Sequence, residues 1–223
     1  MNTRQLAVMT ALLGCGACAP EPIPAQGPAP VVAPPRAGLA NSPTERQASV
    51  VRGNIVGTIA TNPWHAIKNG GVVYLEDAPS EPGVPLSGVL DNHDMAFVPS
   101  IVVIVAGGSV IFTNTDPVTH NVFSPDNEKW NLGEIPQNGS AVRRFDTPGN
   151  YAVLCNLHPS MIAYLVVSPS SFFARTNAEG AYVIKNVPAG TYHVTAWVPR
   201  LKSVTETVTV AGGEATANFA MQR

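Results

Sequence analysis

His120, Cys155, His158 and Met161 are the residues whose types and spacing can do chemistry. The last three share one short run, Cys155-Asn-Leu-His158-Pro-Ser-Met161, of the form C-x2-H-x2-M. One thiolate, two imidazoles and one thioether make a soft-to-borderline donor set. Thiolate sulfur suits copper(I), imidazole suits both copper states, and a weak axial thioether tunes the balance between them. If the four converge, they would hold one copper ion cycling between Cu(I) and Cu(II). The chemistry would be one-electron transfer, with no substrate bond made or broken.

Each residue alone has a blander reading. A lone Cys is most often a small buried apolar side chain, and a lone Met is core. Cysteine usage argues against that for Cys155. The chain has three Cys. Two of them, Cys15 and Cys18, lie at the amino terminus beside a secretion signal, so Cys155 has no local partner. A free thiol in an oxidising compartment calls for a reason, and metal ligation supplies one.

The elements that must position these residues are strands. Tyr151-Ala-Val-Leu-Cys155 reads as a strand with Tyr151, Val153 and Cys155 on one face. Met161 opens another strand through Val167, so the C-x2-H-x2-M run is a tight connection between neighbouring strands. Asn114-Thr-Asp-Pro117 is a loop leading to His120 at a separate strand end. Asp116 shapes that loop. Ser100 to Val105 and Ser109 to Asn114 read as two strands joined by a glycine turn at Ala106-Gly-Gly108. Ala141 to Phe145 is a further strand. His93, in Asp91-Asn-His93-Asp94, could serve a second metal but reads better as a polar turn; His65 and His193 read as ordinary loop and strand residues.

Composition bounds the rest. Charged residues make up 13%, with 19 Gly and 21 Pro, favouring short strands and many turns over helices. The net charge of −2 offers no basic footprint for nucleic acid. No Gly-rich loop lies between a strand and a helix, so nucleotide binding is unsupported.

The amino terminus has a targeting layout: Arg4, a short apolar run from Leu6 to Leu13, then Gly14-Cys15. Such a run is too short to cross a bilayer, which needs about twenty residues. Leu12-Leu13-Gly14-Cys15 resembles a bacterial lipobox. The resemblance implies a signal peptide over residues 1–14, lipid on Cys15, and a lipid-anchored protein in the periplasm, with Gly16, rather than Asp, after the lipid site pointing to the outer membrane. Residues 19–48 hold eight Pro and few large apolar residues, so 15–49 read as an extended tether.

The segment Met95 to Val167 resembles the cupredoxins, especially the amicyanin and pseudoazurin type. The resemblance rests on Phe97-Val-Pro99, on Gly107-Gly-Ser-Val110 and Phe112-Thr-Asn-Thr-Asp116 before His120, and on Phe145-Asp-Thr-Pro-Gly149-Asn-Tyr151 before the C-x2-H-x2-M run. It implies His120, Cys155 and His158 as equatorial ligands and Met161 as the axial one. It also implies that the Asn121 side chain ties the two ligand loops together. His158 would be the outer ligand, and Pro159 with nearby apolar residues the docking patch.

The stretch Thr176-Asn-Ala-Glu-Gly180-Ala-Tyr-Val-Ile-Lys-Asn-Val-Pro188-Ala-Gly190-Thr-Tyr192 resembles carboxypeptidase regulatory-like, transthyretin-type modules. Residues 172–220 alone give four or five strands, a marginal core. Gly53 to Ala60 and Val72 to Glu76 look like the opening strands of such a module. The expected architecture is therefore all-β. A Greek-key cupredoxin sandwich over 86–168 is set into a second sandwich built from 50–78 and 169–223. Two consecutive domains remain the simpler alternative.

Three functions compete. Electron transfer by a single copper needs only the four ligands. Copper capture or delivery favours Met- or His-rich clusters, and the chain has five Met and none clustered. A copper enzyme needs further centres, usually with H-x-H pairs, which the sequence lacks; the reading is not an enzyme. The redox partner and the oligomeric state are left open.

Overall fold

The computed structural model describes residues 50–81 and 87–223. The signal peptide, Cys15 and the tether of the sequence reading lie outside the described residues, as does residue 86. Among the described residues no helix is long and apolar enough to cross a membrane.

The described chain is strands joined by turns, with one 3-10 segment at Trp64–Asn69. Before the ligand region come β1 (Arg52–Asn62) and β2 (Val72–Leu75). Then follow β3 (Ser87–His93), β4 (Ala96–Val98), β5 (Ile101–Val105), β6 (Gly108–Asn114), β7 (His120–Ser124), β8 (Trp130–Ile135), β9 (Ser140–Phe145), β10 (Gly149–Leu154) and β11 (Ile162–Ser168). The chain closes with β12 (Phe173–Arg175), β13 (Ala181–Pro188), β14 (Gly190–Trp197), β15 (Val204–Val210), β16 (Gly213–Thr216) and β17 (Phe219–Gln222).

Two sheets enclose the ligand region, ordered β5-β11-β10-β7-β8 and β4-β3-β6-β9. Alternation drives their packing: Val110 and Phe112 on β6, and Tyr151 and Val153 on β10, turn inward while their neighbours turn away. One core results, with Leu90, Phe112, Trp130, Phe145, Tyr151, Val153, Cys155, Met161 and Leu165 in a single cluster. Its aromatics stack in series, with Trp130 edge-on to Phe145 at 5.7 Å and Phe145 edge-on to Tyr151 at 5.5 Å.

The glycine turn after β5 does not make a hairpin. β5 runs parallel to β11, whereas β6 pairs with β3 and β9 in the opposite sheet. The two N–H groups of the turn show why. Ala106 donates to Ser168 O at 2.9 Å, and Gly107 donates to Phe145 O at 2.7 Å. Each end of the turn is thus captured by a different sheet, and Gly107 supplies the φ of 87° that the crossing requires.

The second pair of sheets draws on both ends of the described chain. β1 pairs antiparallel with β13 and parallel with β16 and then β17. β2 pairs with β12 and β14, and β14 with β15. Ile55, Ile59, Val73 and Leu75 share a core with Tyr182, Val194, Val208 and Phe219.

The two cores meet back to back. Val72 and Trp197 pack on Ile101 and Val166, with Tyr74, Val103 and Tyr164 around them. The contact explains the unbroken burial of Leu165 to Ser168 on β11, since one face serves the ligand core and the other the seam.

Candidate metal centre

β10 carries Cys155 to the end of the sandwich. Leu154 is its last paired residue, opposite both Ile162 and Phe123. The chain then turns through 155–161 and re-enters as β11. Met161 N–H donates to His158 O at 3.0 Å, which tightens the turn around His158. Pro159 restrains His158 to an extended backbone. β7 begins at His120, so the first imidazole enters from the adjoining strand.

The three strongest donors meet. The ligand atoms of His120, Cys155 and His158 lie within 4.8 Å of one another. His120 Nδ1 faces His158 Nδ1 at 3.1 Å, and Cys155 Sγ is 3.7 Å from the same His158 nitrogen. At bond lengths of about 2.0 Å for nitrogen and about 2.3 Å for sulfur, two nitrogens on one ion sit at most about 4.0 Å apart, and a nitrogen and a sulfur about 4.3 Å. Both separations fall inside those limits. Cys155 is a free, buried thiol. His120 is 0% exposed, while His158 is half-buried.

Met161 is 1% exposed and packs in the same core as Cys155. Asn121 reaches both the sulfur and the neighbouring strand. Its backbone N–H, not its side chain, reaches Cys155 Sγ, at 3.4 Å. Its side-chain amide donates to Asn131 Oδ1 and Gly133 O, both at 2.9 Å, and so anchors β7 to β8. Asn121 Oδ1 is buried with no hydrogen-bond partner in the structure.

Asp116 does more than shape a loop. It is 4% exposed, and its Oδ2 lies 2.8 Å from His120 Nε2. It also accepts the N–H groups of Asp94 at 2.6 Å and Met95 at 2.9 Å. Burial by itself pushes the Asp116 carboxyl up. The Met95 N–H, the His120 ring and the Asp94 N–H outweigh it, and the net direction is down. A carboxylate accepts, so this contact is the one a proton on His120 Nε2 would make, with Nδ1 turned toward the cluster. Asn114 positions the carboxylate: its Nδ2 donates to Val118 O and Ile135 O, both at 2.8 Å, and its Oδ1 accepts Asp116 N–H at 3.0 Å. A carboxylate four residues before His120 was the available sequence signal. Sequence order alone does not say which way it points.

His93 stays at the surface. Its Nδ1 lies 3.0 Å from Thr115 Oγ1 and its Nε2 3.5 Å from Asp94 Oδ2. Among the described residues, His120, Cys155 and His158 form the one metal-type cluster of three.

A two-sheet sandwich with a His2Cys cluster at one end, its His120 and Cys155 buried and its His158 half-buried, is the arrangement of a cupredoxin-type copper centre. Residues 86–168 match the family of copper binding proteins of the plastocyanin/azurin type, and residues 162–222 match the carboxypeptidase regulatory-like domain. The chain carries both domains, and copper is its cofactor. Among solved structures, it is similar to a purple cupredoxin from Nitrosopumilus maritimus at 23% identity, with a TM-score of 0.34, over 36% of this chain and 99% of that one. It is similar to an amicyanin variant in its Cu(I) form at 18% identity, with a TM-score of 0.35, over 44% of this chain and 98% of that one. A copper-containing nitrite reductase from Thermus scotoductus is similar at 23% identity, with a TM-score of 0.35, over 40% of this chain and only 25% of the reductase. No curated protein sequence matches the chain.

Proposed function

We propose that the chain is a mononuclear type 1 copper protein that transfers single electrons at the periplasmic side of a membrane, and that it is not an enzyme. The observation that carries this reading is the meeting of His120 Nδ1, His158 Nδ1 and Cys155 Sγ at 3.1 and 3.7 Å in a largely buried cluster. Copper bound there supplies a one-electron couple between its +1 and +2 states.

The protein residues do the rest. His120, Cys155 and His158 would hold the ion, and Met161 would add the thioether. Asn121 N–H donates to the sulfur and restrains it. Cys155 and Met161 belong to the apolar core that backs the site. His158 is the electron port. Leu157 is 45% exposed and Pro159 is exposed beside it, giving an apolar rim where a redox partner can approach.

The lipobox-like Leu12 to Cys15 supports anchoring through lipid on Cys15, with 15–49 as the tether to the outer membrane. Strand pairing across the ligand region supports reading 50–78 and 169–223 as one discontinuous sandwich that presents the copper domain. Copper delivery without electron transfer is the alternative. It predicts a pale copper(II) form.

The test is to load the chain with copper(II) and record visible and electron-paramagnetic spectra. A strong thiolate-to-copper band that vanishes in Cys155→Ala is the expected result. A pale spectrum that Cys155→Ala leaves unchanged would sink the reading.

A further inference from the structure

The Asp116 carboxylate has three donors and only one of them is a candidate ligand. Asp94 and Met95 are the two central residues of the hairpin turn between β3 and β4, and both have positive φ, 50° and 58°. Neither is glycine, so the turn is strained. Asp116 receives both of their N–H groups, at 2.6 and 2.9 Å, and the His120 Nε2–H at 2.8 Å. The carboxylate is therefore immobilised by a surface turn on one side and by a buried imidazole on the other. His120 cannot rotate without breaking that contact.

We propose that Asp116 is the positioning residue that fixes His120 for copper and sets the reduction potential of the centre, an inference that rests on the copper reading above. Two effects act in the same direction. The carboxylate holds His120 in the Nε2–H tautomer, which leaves Nδ1 free to ligate and makes the ring a stronger base. It also places a negative charge one imidazole away from the ion, in a site that water does not screen, and a negative charge favours Cu(II) over Cu(I). The potential of the centre is lower than that of the same ligand set with a neutral acceptor at this position.

Two measurements on the full chain test this. In the metal-free protein, nitrogen-15 NMR of the His120 ring should show the proton on Nε2. A proton on Nδ1 overturns the proposal, and this result needs neither copper nor a variant. In the copper-loaded protein, Asp116→Asn keeps the shape and removes the charge. It should keep the thiolate band and shift the Cu(I)-to-Cu(II) affinity ratio about tenfold toward Cu(I), a rise of about 59 mV for one electron. Asp116→Glu, which keeps the charge, should return most of the shift. Equal potentials in the wild type and Asp116→Asn, with the band present in both, overturn the proposal. Absence of the band from the wild type would instead overturn the copper reading and leave the tautomer measurement to judge Asp116.

Discussion

At the residue scale, the centre depends on donor atoms that also serve as core. Cys155 and Met161 are 3% and 1% exposed and belong to the same cluster as Phe112 and Tyr151. Substituting either one therefore changes packing as well as the proposed ligation. Met161→Ala should lower the stability of the metal-free protein by about 2–5 kcal/mol, the cost of truncating a buried Met. Denaturant unfolding of the apoprotein measures it. The ligation effect is separable: Met161→Leu keeps the volume, so its apoprotein should lose less than about 1.5 kcal/mol, and any change in its copper spectrum reports the lost thioether.

At the scale of elements, the ends of strands matter more than their middles. Cys155 follows the last pair of β10, His120 opens β7, and Met161 precedes β11. The connection between them is short because β10 and β11 are antiparallel neighbours with Leu154 opposite Ile162. In the companion sandwich, β1 is the central organiser, pairing with three other strands. It passes so close to the segment before β17 that a Cβ on Gly57 would lie 1.7 Å from Ala217 O and 3.0 Å from Tyr182 Oη. Gly57→Ala should destabilise the protein by about 1–3 kcal/mol or more while leaving the copper spectrum unchanged. Thermal unfolding and the visible band, recorded on the same sample, check both halves of that statement.

At the scale of the whole described chain, the two sandwiches share a buried seam. Trp197 is 6% exposed and meets Tyr164 edge-on at 5.5 Å, against Ile101 and Val166. Because β5 and β11 face this seam with one side and the ligand core with the other, stability gained by one sandwich passes to its neighbour. Copper binding, which stabilises only the folded ligand core, should raise the unfolding temperature of the entire described region in one transition. Trp197→Ala should cost about 3–5 kcal/mol. It should also separate the transition into two, with only one responding to copper. A single copper-responsive transition in Trp197→Ala would show that the coupling does not depend on Trp197.

The sequence by itself determined the donor types, the alternation that turns Tyr151, Val153 and Cys155 to one side, and the all-β class. These are local properties: a side chain's chemistry and a period of two need no partner to be read. Strands such as β8 were harder, because in Trp130–Ile135 only the two end residues are buried and the apolar alternation is lost. The tertiary structure alone decided three things. It sent β5 and β6 to opposite sheets, because the N–H groups of their turn find acceptors on β11 and β9. It gave the sulfur contact to the Asn121 backbone and the side chain to β8. It turned Asp116 onto His120, because the Asp94-Met95 turn, some twenty residues earlier, donates to the carboxylate, and Asn114, itself held by Ile135 O, fixes the Asp116 backbone. Contacts of that kind depend on which distant strands lie side by side, and no local pattern of residue types encodes that arrangement.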